Sequence, residues 1–138
     1  MAPRIEHAKE LFVAGLQVHV PPGPCPAIEE LWARMSPHLQ GKSSYGVCYD
    51  FADGMYTYLV AIDVEKGQPI PDGWTSMEIP AHDFAVYEHA GHISKIAETW
   101  LTIKNDDTVT RDFSVPSIEK YPAGYSSDTS LTIWIPIA

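Results

Sequence analysis

Apolar positions in the first half of the chain follow two periods, one typical of strands and one typical of helices. Runs rich in aromatic and β-branched residues predict three strands, at Phe12–Val20, Tyr45–Phe51 and Tyr56–Val64. Between the first two runs, Ala27–His38 carries apolar side chains at every third or fourth position, which predicts a helix. Asp53-Gly54 separates the last two runs and favours a hairpin turn. The first half therefore predicts the order strand, helix, strand, strand.

The second half repeats this order after the loop "EKGQPIPDG". A strand is predicted at Phe84–His89, a helical stripe runs from Ile93 to Trp100, and two more strands are predicted at Ile118–Tyr121 and Leu131–Ile137. The halves are separated by roughly seventy residues, which suggests a duplicated β-α-β-β unit. We expect one domain over residues 1–138, with the first repeat at about 8–66 and the second at about 78–138.

Composition and charge narrow the possible functions. The chain has 138 residues, of which 45% are hydrophobic, enough for one domain with its own core. Its formal net charge is −9 and its nine Lys and Arg residues do not cluster, so direct binding to nucleic acid is disfavoured and cationic or neutral partners are favoured. No apolar run is long enough to span a membrane, and the N-terminus has no apolar signal region. We expect no membrane association and a cytoplasmic location.

One acidic residue, in "SIEKY" at 117–121, lies inside a predicted strand. Placing Phe12 on Phe84 aligns the two halves and lays Glu119 over Val47. This alignment puts a carboxylate on a strand face that is apolar in the first half. Burying an unpaired carboxylate costs several kcal/mol, so an inward Glu119 needs hydrogen-bond donors or a cation. The alternative is an exposed edge position at which Glu119 pairs with Lys120 or with water.

No residue pattern demands a catalytic, metal or cofactor site. His89 and His92 have the spacing of a helical ligand pair, but Ala90-Gly91 between them predicts a turn, so no metal site is expected. The serines lack a nucleophile-elbow context, and there is no glycine-rich phosphate loop. The sequence therefore predicts no catalytic residues and no cofactor.

Three segments of the second half together resemble one protein family. They are "IPAHDFAVYEHAGHISKI" at 79–96, "SIEKY" at 117–121 and "IWIPI" at 133–137. In this order they resemble the GyrI-like effector-binding domains, the ligand-binding half of AraC-type and multidrug-sensing MerR-type regulators. The first half matches more loosely, through Gly15, Leu31-Trp32 and "YTYLVAIDV" at 56–64. The resemblance extends to stand-alone, cationic-drug-binding members carried on integron gene cassettes.

The resemblance implies an α+β fold of tandem β-α-β-β repeats with pseudo-twofold symmetry, an antiparallel sheet and a central ligand cleft lined by aromatic residues. In drug-sensing members an inward glutamate on the penultimate strand meets the positive charge of lipophilic cations, and the matching position is Glu119. Aromatic faces attract cations through their quadrupoles. The expected ligand-binding residues are therefore Glu119 and four aromatic residues, namely Tyr58, Trp74, Trp134 and Trp32. Trp100, on the second helical stripe, is expected to pack in the core.

The function that these observations favour is a non-catalytic binding module for lipophilic, aromatic and cationic small molecules. Such a module could act on transcription or drug response through a separate DNA-binding protein. One alternative is a hydrolase that opens reactive electrophilic ligands, with Glu119 as general acid or base on a water. Another is an interaction protein that inhibits DNA gyrase, with an acidic surface that mimics DNA. The oligomeric state does not follow from the sequence.

Overall fold

The computed structural model describes residues 3–23 and 25–138. Within these residues lie eight strands and two helices. In chain order they are β1 (Arg4–Ala8), β2 (Leu11–Val20), α1 (Pro26–Leu39), β3 (Ser44–Ala52), β4 (Met55–Asp63), β5 (Thr75–Ile79), β6 (His82–His89), α2 (Ile96–Lys104), β7 (Ser117–Tyr121) and β8 (Leu131–Pro136). A short 3-10 helix at Ile93–Lys95 leads into α2. The six predicted strands and both predicted helices are confirmed, as β2 to β4, β6 to β8, α1 and α2.

The hydrophobic pattern misses the two edge strands. The sequence of β1, RIEHA, has no alternation of apolar and polar residues, and its side chains are mostly exposed. The sequence of β5, TSMEI, is short, and only Ile79 in it is buried. An edge strand pairs on one side only and commonly carries charged side chains, so it lacks the apolar signature of a central strand.

All eight strands form one antiparallel sheet with the order β1-β6-β8-β7-β3-β4-β2-β5. This order is symmetric between the halves: β3 and β7 pair at the centre, β4 and β8 flank them, β2 and β6 follow, and β5 and β1 form the edges. Helix α1 packs on β2 and β4, and α2 packs on β6. The predicted α+β fold with pseudo-twofold symmetry is therefore confirmed, and the central strand pair lies between the two helices.

The predicted alignment of the two halves is wrong by one residue in the central strands. Across β3 and β7, Val47 pairs with Ile118 and Gly46 pairs with Glu119. Directly opposed residues of antiparallel strands share a face, so Val47 and Glu119 lie on opposite faces of the sheet. A shift of one residue moves every side chain of a strand to the other face. A single offset between the two halves fails because the connections that follow the two helices differ in length. Residues 40–43 follow α1, whereas residues 105–116 follow α2.

Apolar side chains cover both faces of the sheet. On the side of Glu119, here called the helix face, Leu31 and Met35 of α1 pack against β4. On the side of Val47, here called the curled face, one cluster includes both Ile79 of β5 and Phe84 of β6. These two strands lie near opposite edges of the sheet, so the sheet must curl to bring them together. The curled face is therefore buried largely by the sheet itself.

Candidate ligand-binding site

Glu119 lies at the centre of the sheet on the helix face. It stands directly opposite Gly46 of β3 and is only 5% exposed. Tyr121 follows two residues later in β7 and therefore shares this face. The alternative in which Glu119 is an exposed side chain paired with Lys120 or water is wrong, because the carboxylate is buried in the interior.

Three side chains donate hydrogen bonds to the Glu119 carboxylate. The hydroxyls of Tyr58 and Tyr121 donate to Oε1 at 2.5 and 2.8 Å, and Nε1 of Trp100 donates to Oε2 at 2.7 Å. These donors come from β4, β7 and α2, so the carboxylate ties both halves of the protein together. Hydrogen bonds to an ionised carboxylate are about twice as strong as neutral ones. Both carboxylate oxygens are thus held in place despite their burial.

Gly46 provides the space for this arrangement. A Cβ atom at position 46 would lie 2.2 Å from the Tyr58 hydroxyl oxygen and 2.5 Å from Oε1 of Glu119. Both distances are far below van der Waals contact, so any larger residue would force the pair apart. The central strand of the first half therefore carries a glycine at this point because its neighbour carries a glutamate.

Aromatic side chains from both helices and one loop cover the carboxylate. Trp32 of α1 donates from Nε1 to the Tyr58 hydroxyl at 3.1 Å, and its ring meets the Tyr121 ring edge-on at a centroid distance of 4.7 Å. Tyr125, in the loop after β7, packs edge-on against the Tyr121 ring at a centroid distance of 5.0 Å. The Tyr125 hydroxyl oxygen is buried without a hydrogen-bond partner among the described residues. A ligand that reaches Glu119 must therefore displace part of this aromatic cover.

Two opposing effects act on the charge of this site. Burial raises the pKa of Glu119 above its ordinary value, and the hydrogen bonds from Tyr58, Trp100 and Tyr121 lower it by less. Burial, with the nearby Glu119 charge, raises the pKa values of Tyr58 and Tyr121 well above that of a free phenol. Both hydroxyls therefore stay protonated and continue to donate, and among the described residues no Lys, Arg or His side chain forms an ion pair with the carboxylate.

Two of the four predicted aromatic residues, Tyr58 and Trp32, meet at this site. Trp74 lies on the same side of the sheet, in the cluster under α1 that contains Tyr58. Its ring, however, meets the His38 ring edge-on at 5.0 Å and lines a separate groove of about 300 Å³. Trp74 is therefore a neighbour of the Glu119 site and has no direct contact with the carboxylate.

The prediction that Trp134 shares a cleft with Glu119 is wrong. Trp134 pairs with Ile118 across β7 and β8, whereas Glu119 pairs with Ile133. Trp134 and Glu119 therefore point to opposite faces of the sheet. Trp134 was predicted from its aromatic character, whereas its position in β8, one residue from Ile133, puts its ring on the curled face.

Trp100 is the residue of the candidate site that the sequence prediction assigned only to the core. It is half-buried on α2, packs against the clusters of both helices, and uses its indole N–H on Glu119. A buried tryptophan usually needs a hydrogen-bond acceptor for that N–H. One signal could have identified Trp100: it lies on the helix that precedes, along the chain, the strand that carries the inward Glu119.

Residues 3–23 and 25–138 contain no group of three or more His, Cys, Asp and Glu side chains arranged to hold a metal ion. None of the helices in this part of the chain is long and apolar enough to cross a membrane.

The profile of the GyrI-like small molecule binding domain matches residues 1–138. The chain belongs to this family. The resemblance inferred from the three segments of the second half is therefore confirmed, and the domain is a small-molecule-binding domain.

Several known proteins are similar to this chain in sequence or in structure. The transcriptional regulator BrlR of Pseudomonas aeruginosa is 31% identical over 110 residues, covering 75% of this chain and 40% of BrlR. An integron cassette protein from Vibrio cholerae has a TM-score of 0.79 at 18% identity, covering 99% of this chain and 96% of that one. The structure of SAV2435 bound to tetraphenylphosphonium has a TM-score of 0.73 at 17% identity, covering 100% and 94%. At these identities the two structures establish a shared fold.

Proposed function

We propose that this domain binds lipophilic aromatic cations, with Glu119 as the counter-charge. The observation that carries the proposal is a carboxylate, 5% exposed, held by three donors and surrounded by aromatic rings. A buried carboxylate without a cation is costly, and its raised pKa reflects that cost. A ligand that brings a positive charge to this point would relieve it.

The surrounding rings favour a particular kind of cation. Trp32, Trp100 and Tyr125 offer aromatic surface, whose negative face attracts cations, and this attraction is stronger where water is excluded. A compact ammonium ion would lose strong hydration on entering such a site, whereas a charge spread over an aromatic body loses much less. The net charge of −9 also attracts cations from solution.

Entry requires movement of the aromatic cover. Trp32 and Trp100 come from different helices, so a ligand inserted between them would separate α1 from α2 over the central strands. The Trp100 indole would exchange its bond to Oε2 for a contact with the ligand, leaving this oxygen to face the cation. The unpartnered hydroxyl of Tyr125 is an available donor for the rearranged site.

Two related proteins support the ligand class and a regulatory role. SAV2435, whose fold this chain shares, was solved with tetraphenylphosphonium, an aromatic cation of the proposed kind. BrlR is a transcriptional regulator, and this chain spans about 40% of its length. We infer that ligand binding in this chain controls transcription through a DNA-binding protein. Co-purification with and without tetraphenylphosphonium tests that partner, and a supercoiling assay tests inhibition of gyrase instead.

The binding proposal is tested with two probes of equal shape and opposite charge. Tetraphenylphosphonium and tetraphenylborate are titrated calorimetrically into the wild type, Glu119→Gln and Glu98→Gln. Glu98 is an exposed glutamate on the same helix as Trp100, so its variant is a matched control. We expect Glu119→Gln to weaken binding of the cation by about 1–3 kcal/mol, roughly 5- to 150-fold, and Glu98→Gln to leave it unchanged.

Two results would contradict the proposal. Equal cation affinity in Glu119→Gln would mean that Glu119 is not the counter-charge. Tighter binding of tetraphenylborate than of tetraphenylphosphonium would mean that the site prefers anions. Chemical consumption of a reactive electrophilic ligand that is lost in Glu119→Gln would instead support the hydrolase alternative.

A further inference from the structure

A second concave site lies on the curled face, behind the strand that carries Glu119. It is a groove of about 280 Å³ between the ends of both edge strands and the middle of the sheet. Its walls are mostly apolar, and they are formed by Ala8, Leu11, Ile79, Phe84, Ile118 and Trp134. Its volume is at the lower end of the range for ligand pockets, about 300–1,000 Å³, which suits a molecule with one ring or a short chain.

Lys120 brings one positive charge into this groove. The side chain is half-buried, and its Nζ lies 3.7 Å from the centroid of the Trp134 ring. Among the described residues no carboxylate oxygen lies within ion-pair distance of this Nζ, and no side chain or carbonyl accepts a hydrogen bond from it. An ammonium group has three donors and no acceptor. Lys120 therefore has unused hydrogen-bond donors in a groove whose walls are mostly apolar.

The acidic side chains nearest to Lys120 are already engaged. Burial lowers the pKa of Lys120 below its ordinary value, and the nearby charges of Glu6 and Asp63 raise it by less. Glu6, however, pairs with Arg4, and both oxygens of Asp63 accept from the Tyr45 hydroxyl. These carboxylates oppose the effect of burial on the pKa of Lys120 without occupying its donors.

We propose that this groove binds a small amphipathic monocarboxylate, with its carboxylate on the Lys120 ammonium and its apolar body against Ile118, Phe84 and Trp134. The occupant carries a single negative charge because Lys120 offers a single positive one in the body of the groove. At the rim Lys9 and Glu10 offset each other, so a dianion such as a phosphate ester would have an uncompensated charge. The chain would then bind cations and anions on opposite faces of one strand, through neighbouring residues.

The test uses 4-(trifluoromethyl)benzoate and its neutral analogue 4-(trifluoromethyl)benzamide, titrated by fluorine NMR. The expected result is saturable binding of the benzoate by the wild type and at least a tenfold loss of affinity in Lys120→Met. Lys95→Met, at an exposed lysine, should bind the benzoate as the wild type does. The benzamide should bind the wild type at least tenfold more weakly than the benzoate.

A second measurement locates the probe even if Lys120→Met folds poorly. In a nitrogen–proton spectrum of the wild type, the indole signal of Trp134 should move with benzoate while those of Trp32 and Trp100 stay in place. Glu98→Gln should leave benzoate binding unchanged, because that exposed residue lies on α2, on the other side of the sheet.

Three outcomes would overturn the inference. They are no saturable benzoate binding up to about 10 mM, equal binding of the benzoate by Lys120→Met, and movement of the Trp32 or Trp100 indole signal in place of that of Trp134. The last outcome would put the probe in the Glu119 site, and the cation titrations of the proposed function would still stand by themselves.

Discussion

The two faces of strand β7 stabilise charge in opposite ways. On the helix face, the Glu119 carboxylate is buried and accepts three hydrogen bonds from neighbouring side chains. On the curled face, the adjacent Lys120 is only half-buried and rests on the Trp134 ring, and none of the described residues accepts a hydrogen bond from it. One charge is therefore fixed by directional bonds, while the other keeps its freedom and part of its hydration. Substitutions near Glu119 should therefore lower the free energy of unfolding strongly, and substitutions at Lys120 should change it little.

The most disruptive test of this contrast is Gly46→Ala. The added Cβ would lie 2.2 Å from the Tyr58 hydroxyl oxygen, within the network itself. We expect a loss of about 1–3 kcal/mol in the free energy of unfolding, the usual cost of overpacking, together with weaker binding of tetraphenylphosphonium. Urea denaturation measures the first effect and calorimetry the second.

Ser44→Ala is the matched control, because Ser44 is buried on the same face of β3, two residues away, and the change removes atoms. Wild-type stability and binding in Gly46→Ala would mean that the Glu119 network can shift freely, and the proposed contrast between the faces would fail.

The next effect in size is expected for Tyr58→Phe. This change leaves the Trp32 N–H without its acceptor and Glu119 without one of its three donors. The expected loss in the free energy of unfolding is about 1–2 kcal/mol. Tyr49→Phe is the control, since the Tyr49 hydroxyl bonds to Gln17 at an exposed site, and it should cost less than about 0.5 kcal/mol. Equal losses in the two variants would show that the buried network adds nothing beyond an ordinary exposed bond.

Much of the fold could be predicted from the sequence because its central elements carry strong periodic patterns. β2, β3 and β4 are runs rich in aromatic and β-branched residues, α1 has apolar side chains at helical spacing, and the segment "SIEKY" placed an acidic residue inside a strand. Family resemblance then identified Glu119 as a residue of interest. The edge strands β1 and β5 were missed because both are short and only Ile79 among their side chains is buried, which gives no comparable apolar run.

The membership of the site was harder to predict because it depends on the faces that residues occupy. Trp134 was chosen for its aromatic ring alone, and the register of β7 against β8, which puts it opposite Ile118 and on the other face from Glu119, cannot be read from the sequence pattern. Trp100 was assigned to the core since a helical stripe reports burial and is silent on the partner of an indole N–H. Gly46 gave no signal at all, because its role is the absence of a side chain next to Glu119.

A smaller effect is expected from the titration of Glu119. Burial raises its folded-state pKa above the ordinary value of 4.5, so the folded protein holds this proton more tightly than the unfolded chain does. Its contribution to stability is therefore full below about pH 4.5 and is lost as the pH rises through the folded-state pKa. The wild type minus Glu119→Gln difference in unfolding free energy should fall over this window, by less than about 1.4 kcal/mol per pH unit.

Urea denaturation of both proteins between about pH 4 and pH 8 measures this difference, and other titrating groups cancel in it. A difference that rises with pH would mean that the hydrogen bonds from Tyr58, Trp100 and Tyr121 outweigh burial. The Glu119 carboxylate would then be fully satisfied without a ligand, and the electrostatic reason for binding cations would disappear.

The smallest effect is expected at Lys120, where the other side of the comparison is tested. A cation over an aromatic ring at a partly exposed site contributes about 0.5–1 kcal/mol, and partial dehydration of the ammonium offsets this contribution. Lys120→Met keeps a flexible apolar chain against Trp134, so the free energy of unfolding should change by no more than about 0.5 kcal/mol. Lys120→Ala, which also removes the packing of the stem, is the comparison variant and should cost more. A loss above about 1.5 kcal/mol in Lys120→Met would mean that the ammonium has a strong fixed partner, and the two faces of β7 would then hold their charges in the same way.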